Sequence, residues 1–130
     1  MKRKLMLLAA PLLLLLTACG GSNPAITQVD AGGFSGYIAN PGVVVLDVRT
    51  AGEFAAGHIE GAINIDVEGG QFDSGIANLD KNAEYAIYCQ SGRRSMIAAE
   101  KMADAGFTKL TNMQEGINSW ISAGLPVVTN

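Results

Sequence analysis

A cysteine, a glycine and two arginines lie within six residues of one another, directly after a short apolar segment. Tyr85–Tyr88 leads into Cys89, and Gly92, Arg93 and Arg94 follow before an amphipathic helical pattern begins. The thiol is therefore expected where a strand meets a helix N-terminus. Free backbone N–H groups at a helix start favour negative charge, and the arginines add positive charge there. The segment predicts a reactive thiolate beside a site for an anion.

Short apolar segments alternate with helical patterns along residues 26–130. Val43–Val48 is almost continuously apolar and β-branched, which is typical of a strand buried on both faces of a parallel sheet. Further strands are expected at Ala62–Ile65, Tyr85–Tyr88 and Lys109–Met113. Helices are expected at Phe34–Ala39, from Thr50 to Ala56 with a capping box, before Leu79, up to Gly106, and at Ile117–Ala123. This alternation predicts one α/β domain with a parallel sheet flanked by helices on both faces.

Two polar groups follow the expected strands directly. Cys89 ends one strand and Arg49 follows Val48 at the end of another. Because sites in open parallel sheets form beyond the carboxyl ends of the strands, both side chains are expected at one edge. Gly92 permits the sharp turn after the cysteine, so that successive N–H groups can point inward and bind an anion.

The N-terminus has the layout of a secretory signal. Lys2, Arg3 and Lys4 precede the apolar segment Leu5–Leu16, which is shorter than the roughly 20 residues of a membrane-spanning helix. The segment from Leu16 to Cys19 resembles the lipobox of bacterial lipoproteins. That resemblance implies a signal peptide at residues 1–18, lipidation of Cys19, a tether at residues 19–25 and a folded domain at residues 26–130.

The expected location follows from that reading. The chain is predicted to be exported and anchored by its lipid to a bacterial membrane, with the domain in the periplasm or at the cell surface. An ordinary signal peptide is the alternative. In that unlipidated form, Cys19 and Cys89 could form a disulfide. Lipidation of Cys19 would leave Cys89 as an unpaired thiol. An inert buried thiol at Cys89 is the remaining alternative.

Charge excludes some partners. Without the leader, six lysines and arginines face twelve acidic side chains, a net charge of −6. Such an acidic domain is not expected to bind nucleic acid or to dock electrostatically on anionic lipid.

Four sequence blocks resemble the rhodanese-like sulfurtransferases in order and spacing. They are Leu46–Arg49 with Glu53 and Phe54, Gly57–Ile65, Tyr88–Ser95, and Gly116 with Trp120 and Ala123–Val127. The resemblance implies an α/β domain without a cofactor, whose cysteine takes a sulfane sulfur from a donor such as thiosulfate. The sulfur is held as a persulfide and passed to cyanide, a small thiol or a protein acceptor.

The same resemblance assigns the site residues. Cys89 would be the nucleophile and persulfide carrier. The donor and persulfide would bind at Gln90, Ser91, Gly92, Arg93, Arg94 and Ser95, with Arg49 as a further candidate. One departure is Glu115 in place of a glycine that the family often has before Gly116, and an extra carboxylate there would disfavour anionic donors.

A phosphatase, a sulfur carrier and a redox protein are the alternatives to a sulfurtransferase. Cysteine-dependent phosphatases typically place five residues between cysteine and arginine, whereas four separate Cys89 from Arg94. A non-enzymatic sulfur-carrier or binding module of the same fold is the main alternative. A redox protein is disfavoured by the lack of a second cysteine to resolve a disulfide. His58 is the only histidine, so no metal site is expected, and it is interpreted as structural, as is an ion-paired Arg49.

Overall fold

The computed structural model describes residues 23–130, which form five strands and five helices in alternation. The strands are β1 (Ile26–Val29), β2 (Val43–Asp47), β3 (Ile63–Asn64), β4 (Glu84–Tyr88) and β5 (Leu110–Met113). The helices are α1 (Ala31–Ile38), α2 (Ala51–Ala56), α3 (Phe72–Ile76), α4 (Arg93–Asp104) and α5 (Gly116–Ser122).

The strands form one sheet in the order β1-β5-β4-β2-β3, and every pair is parallel. Strand β4 is central, with β2 and β5 on either side, and its residues from Tyr85 to Tyr88 are at most 1% exposed. A strand buried on both faces needs an apolar sequence, which explains why β2 and β4 carry continuous apolar segments. The α/β expectation is confirmed.

The core consists of two clusters, one on each face of the sheet. On one face, α3 and α4 bury Phe72, Ile76 and Met102 against the strands. On the other, α1 and α5 bury Phe34 and Trp120. The helices therefore cover both faces, as the sequence predicts.

The first strand and the first helix differ most from expectation. Only an apolar start at Ile26 was expected where β1 pairs with β5 at the sheet edge. The helix expected from Phe34 begins three residues earlier, at Ala31, because the Asp30 carboxylate caps it by accepting a 2.7 Å hydrogen bond from Gly33 N. Two glycines in the first turn conceal this start in the sequence.

The signal peptide expected at residues 1–18, the expected lipidation site Cys19 and the expected tether up to Ser22 lie outside the described residues. The rest of the expected tether, residues 23–25, joins the domain, since Leu110 N donates a 2.9 Å hydrogen bond to Ala25 O. Within residues 23–130, no helix is long and apolar enough to cross a membrane.

Candidate active site

The loop from Cys89 to Gly92 connects β4 to α4 at the carboxyl edge of the sheet. Gly92 is the N-cap of α4 and has φ 104°, a conformation that favours glycine. A Cβ at this position would lie 1.8 Å from the carbonyl oxygen of Gln114. Only glycine therefore fits this turn, which bends the backbone around the cysteine sulfur.

The sulfur of Cys89 is held inside this loop. Gly92 N donates a 3.0 Å hydrogen bond to Sγ, and the Ser95 hydroxyl lies 3.4 Å from Sγ. Ser95 Oγ also lies 3.2 Å from Gly92 O. The Ser95 hydroxyl can therefore donate to that carbonyl when Cys89 is a thiol, or to the sulfur when Cys89 is a thiolate. Cys89 is 1% exposed, which keeps bulk water from the sulfur.

The loop favours the ionised form of the thiol. Burial by itself raises the pKa of Cys89, because it removes water from the thiolate. Hydrogen bonds from the Ser95 hydroxyl and from the backbone N–H groups of Ser95, Gly92 and Ser91 outweigh burial and hold the pKa below its usual value. A buried thiolate stabilised by fixed donors is an arrangement suited to nucleophilic attack.

Helix α5 fixes the other side of the loop. Ile117 N and Asn118 N donate to the carbonyl oxygens of Cys89 and Gln90 at 2.9 and 3.2 Å. This approach requires Gly116, where a Cβ would lie 2.6 Å from Cys89 O at a φ of 64°. Asn118, which also accepts a 2.6 Å hydrogen bond from the Gln90 side chain, was missed from the sequence. The one sequence feature that could have indicated Asn118 is its position two residues after Gly116.

Arg49 braces the loop from β2. It is 3% exposed, and its guanidinium donates to the Asp47 carboxylate at 2.7 Å, to Gly57 O at 2.7 Å and to Gln90 Oε1 at 3.1 Å. Burial alone would lower the pKa of Arg49, but hydrogen bonding to Asp47 reverses this and raises it. These contacts agree with the ion-paired structural role expected for Arg49. Substrate contact by Arg49 stays a prediction.

The two loop arginines differ in environment. Arg93 is largely exposed and lies 3.3 Å from Glu68. Arg94 is mostly buried and binds Glu53 through two hydrogen bonds of 2.7 and 2.8 Å. The bond from Arg94 is the main reason that the pKa of Glu53 falls to about 2. Both arginines therefore face a carboxylate rather than an open anion site.

A cleft of about 270 Å³ adjoins the loop through Gln90. Apolar side chains make up most of its lining, together with the polar side chains of Arg49, Glu53 and Gln90; the apolar ones are Ala56, Ile117, Ile121 and Val127. Ile121 and Val127 are 54% and 41% exposed, so the cleft offers apolar surface beside the loop.

His58 has the structural role expected from the sequence. Its ring stacks on Phe54 at a centroid distance of 3.7 Å, and Nδ1 lies 2.8 Å from Phe54 O. Among residues 23–130, no three His, Cys, Asp or Glu side chains come together in a way that could hold a metal ion.

The comparisons with known proteins agree with this fold. The Rhodanese-like domain family matches residues 31–123, and the chain belongs to that family. A rhodanese-related protein from Thermoplasma volcanium is 31% identical with a TM-score of 0.71, and the match covers 80% of this chain and 99% of that one.

Curated relatives include a sulfurtransferase and a protein whose name describes a sulfur carrier. The sulfurtransferase of Allochromatium vinosum is 29% identical over 79% of this chain and 95% of its own length. YrkF of Bacillus subtilis, the protein with the sulfur-carrier name, is 38% identical over 58% of this chain. The match covers only 40% of the length of YrkF, so more than half of that relative lies outside the matched region.

Proposed function

We propose that this chain is a sulfurtransferase that carries sulfane sulfur as a persulfide on Cys89. The observation that carries the proposal is the Cys89 sulfur, which accepts a 3.0 Å hydrogen bond from Gly92 N inside a loop of inward N–H groups. These donors support a thiolate before the reaction and a terminal persulfide sulfur after it. Membership of the rhodanese-like family and a sulfurtransferase relative support the same chemistry.

The reaction has two displacement steps. The Cys89 thiolate attacks the sulfane sulfur of the donor, so that a new S–S bond forms and the donor's own bond to that sulfur breaks. The donor's remainder leaves with the electron pair, as sulfite when thiosulfate is the donor. An acceptor, cyanide or a thiolate, then attacks the outer sulfur and releases the Cys89 thiolate. No net oxidant or reductant is needed.

Sulfur loading at Cys89 tests the proposal. The full chain is incubated with thiosulfate or an organic persulfide and analysed by mass spectrometry of the Cys89 peptide. We expect a gain of one sulfur atom that is lost on adding cyanide, with release of thiocyanate. Cys89→Ser should show neither effect. Failure of every sulfane donor to load Cys89 would refute the proposal.

A sulfur carrier is the second candidate function. The carboxylate partners of the loop arginines favour it, because they leave little free positive charge to attract a small anionic donor. The name of YrkF points the same way. A carrier would load with sulfur but release it slowly to cyanide and faster to a protein thiol. Rapid turnover with thiosulfate and cyanide would exclude this candidate.

A phosphatase has less support. Arg94, the arginine that would have to bind phosphate, is engaged by Glu53 in both of its short hydrogen bonds. Turnover of an aryl phosphate that depends on Cys89 would reverse this ranking.

The proposal extends to the location of the protein. Lipidation of Cys19 would anchor the domain to a bacterial membrane after export, and the basis for this is the leader sequence. Fractionation of cells expressing the full chain should place it with membranes, and Cys19→Ser should release it. Retention of Cys19→Ser in the membrane fraction would contradict lipid anchoring.

A further inference from the structure

Resting on the proposed function, we propose that Glu53 determines the charge of the sulfur donor. By neutralising Arg94, it selects singly charged organic persulfides over the thiosulfate dianion. Glu53 acts as a positioning residue, since it reaches the site through Arg94.

The geometry of the Glu53 carboxylate supports this role. Oε1 accepts from Arg94 Nη1 at 2.7 Å and Oε2 from Arg94 Nη2 at 2.8 Å, so the guanidinium is held on two sides. Oε1 also accepts from Thr50 N and Thr50 Oγ1, at 3.3 and 3.1 Å. The capping box of α2 therefore fixes the carboxylate before any donor arrives. An anion that needed Arg94 would have to displace an oriented, bidentate partner.

Arg94 is the loop arginine that interacts electrostatically with the cysteine, and its partner Glu53 lines the same cleft as Gln90 in the cysteine loop. Glu53 raises the pKa of Arg94 most strongly, and the Cys89 thiolate adds to this effect. Arg94 and Cys89 are also close along the chain, because Arg94 lies in the first turn of α4, directly after the cysteine loop. Pairing of Arg94 with Glu53 therefore removes much of the positive field at the sulfur.

The remaining charges around the loop do not restore that field. Arg49 is paired with buried Asp47, and Arg93 faces Glu68. Three arginines are thus paired with three carboxylates, namely Asp47, Glu53 and Glu68. The formal charge of these pairs is zero before the thiolate is counted.

This charge balance disfavours a dianion more than a monoanion. A persulfide with an uncharged organic group carries one negative charge, and it reacts by the same displacement. The Cys89 thiolate attacks its outer sulfur, the persulfide S–S bond breaks, and the organic thiolate leaves with the electron pair. Repulsion scales with donor charge, so thiosulfate meets about twice the electrostatic barrier to approach.

The test compares Glu53→Gln with wild type in the full chain. Glutamine is accepted in a capping box, so α2 keeps its start while one negative charge is lost. Loading of Cys89 is measured with thiosulfate and with 2-hydroxyethyl persulfide. The kcat/KM for thiosulfate is divided by that for the persulfide, which gives the thiosulfate-to-persulfide ratio. We expect the thiosulfate-to-persulfide ratio to rise roughly fivefold in Glu53→Gln, mainly through KM for thiosulfate, as expected from removing a charge near the site. Asp73→Asn, an equal change of charge at an exposed pair with Lys101, should leave the ratio within about twofold.

A second readout does not depend on sulfur transfer. Cys89 is alkylated with iodoacetate and with iodoacetamide, which differ in charge but hardly in size, and each rate is read from the Cys89 peptide. Glu53→Gln should raise the iodoacetate-to-iodoacetamide ratio, and Arg94→Gln should lower it. The double variant, with neither charge, should return close to wild type.

The outcomes separate the two proposals. A thiosulfate-to-persulfide ratio that is unchanged or falls in Glu53→Gln would overturn the role of Glu53, even when Cys89 loads with sulfur. An equal change in both alkylation rates would also overturn it, because that pattern reports a disturbed loop rather than a changed field. Failure of wild type to load from either donor would refute the proposed function, while the alkylation ratios would still report the effect of Glu53 on the charge at Cys89.

Discussion

The buried pair of Asp47 and Arg49 offers the sharpest test of how the loop is held. Their side chains are 0% and 4% exposed, and Asp47 accepts from Arg49 N, Nε and Nη2 at 2.7 to 3.1 Å. Asp47→Asn keeps the shape of the side chain and removes its charge. The change leaves the Arg49 guanidinium buried without a counter-charge.

The expected loss of stability follows from these contacts. Breaking a buried ion pair by neutralising one partner costs about 3–5 kcal/mol. Gly57 O and Gln90 Oε1 still accept from Arg49, so the lower end, about 3 kcal/mol, is expected. That is a large part of the roughly 5–15 kcal/mol that stabilises a typical domain. With a urea m value of about 1–3 kcal/mol/M, the midpoint should fall by roughly 1–3 M.

Urea unfolding followed by Trp120 fluorescence measures this loss. Glu68→Gln, which neutralises the exposed partner of Arg93, is the control and should change the free energy of unfolding by less than about 0.5 kcal/mol. The reasoning is refuted if Asp47→Asn loses less than about 1 kcal/mol. It is also refuted if the two variants lose the same amount.

Three further predictions concern the loop and its ion pair. Gly92→Ala should abolish sulfur loading of Cys89 and lower the thermal midpoint, because its Cβ would meet Gln114 O at 1.8 Å. Stability should fall as pH drops from about 4.5 towards 2, because Glu53 is paired with Arg94 and its folded pKa is about 2 against 4.5 for a free carboxyl. The destabilisation caused by Glu53→Gln should therefore be larger at pH 5 than at pH 2.5, in paired urea titrations. The alkylation rate of Cys89 should rise with pH at a lower midpoint in the folded chain than in the urea-unfolded chain, because the folded loop lowers the pKa of Cys89. Equal midpoints would contradict the hydrogen-bond donors assigned to the sulfur.

The sequence predicts the central part of the sheet well. Val45–Val48 and Tyr85–Tyr88 are buried, so the apolar composition of these two strands has one structural interpretation. The edge strand β1 is harder to predict, since Thr27 and Gln28 are exposed and only four residues pair with β5. Edge strands need less apolar sequence, and this one was not expected.

The cysteine could be located from the sequence, but the state of the arginines could not. The spacing of Cys89, Gly92 and Ser95 predicts a turn with inward donors, because local geometry sets it. The partner of Arg94 is Glu53, which lies 41 residues earlier in the chain. The capping box with Thr50 already accounts for a glutamate at position 53, so the sequence gives no reason to pair it with Arg94. Long-range ion pairs depend on how elements pack, which one sequence does not specify.

Mass spectrometry of Cys89 after exposure to a sulfane donor tests the central claim most directly. The full chain is incubated with 2-hydroxyethyl persulfide, digested, and read at the Cys89 peptide before and after cyanide. We predict one added sulfur atom on Cys89 before cyanide, none after it, and thiocyanate in solution. A Cys89 peptide that stays unmodified under this donor and under thiosulfate would contradict the account.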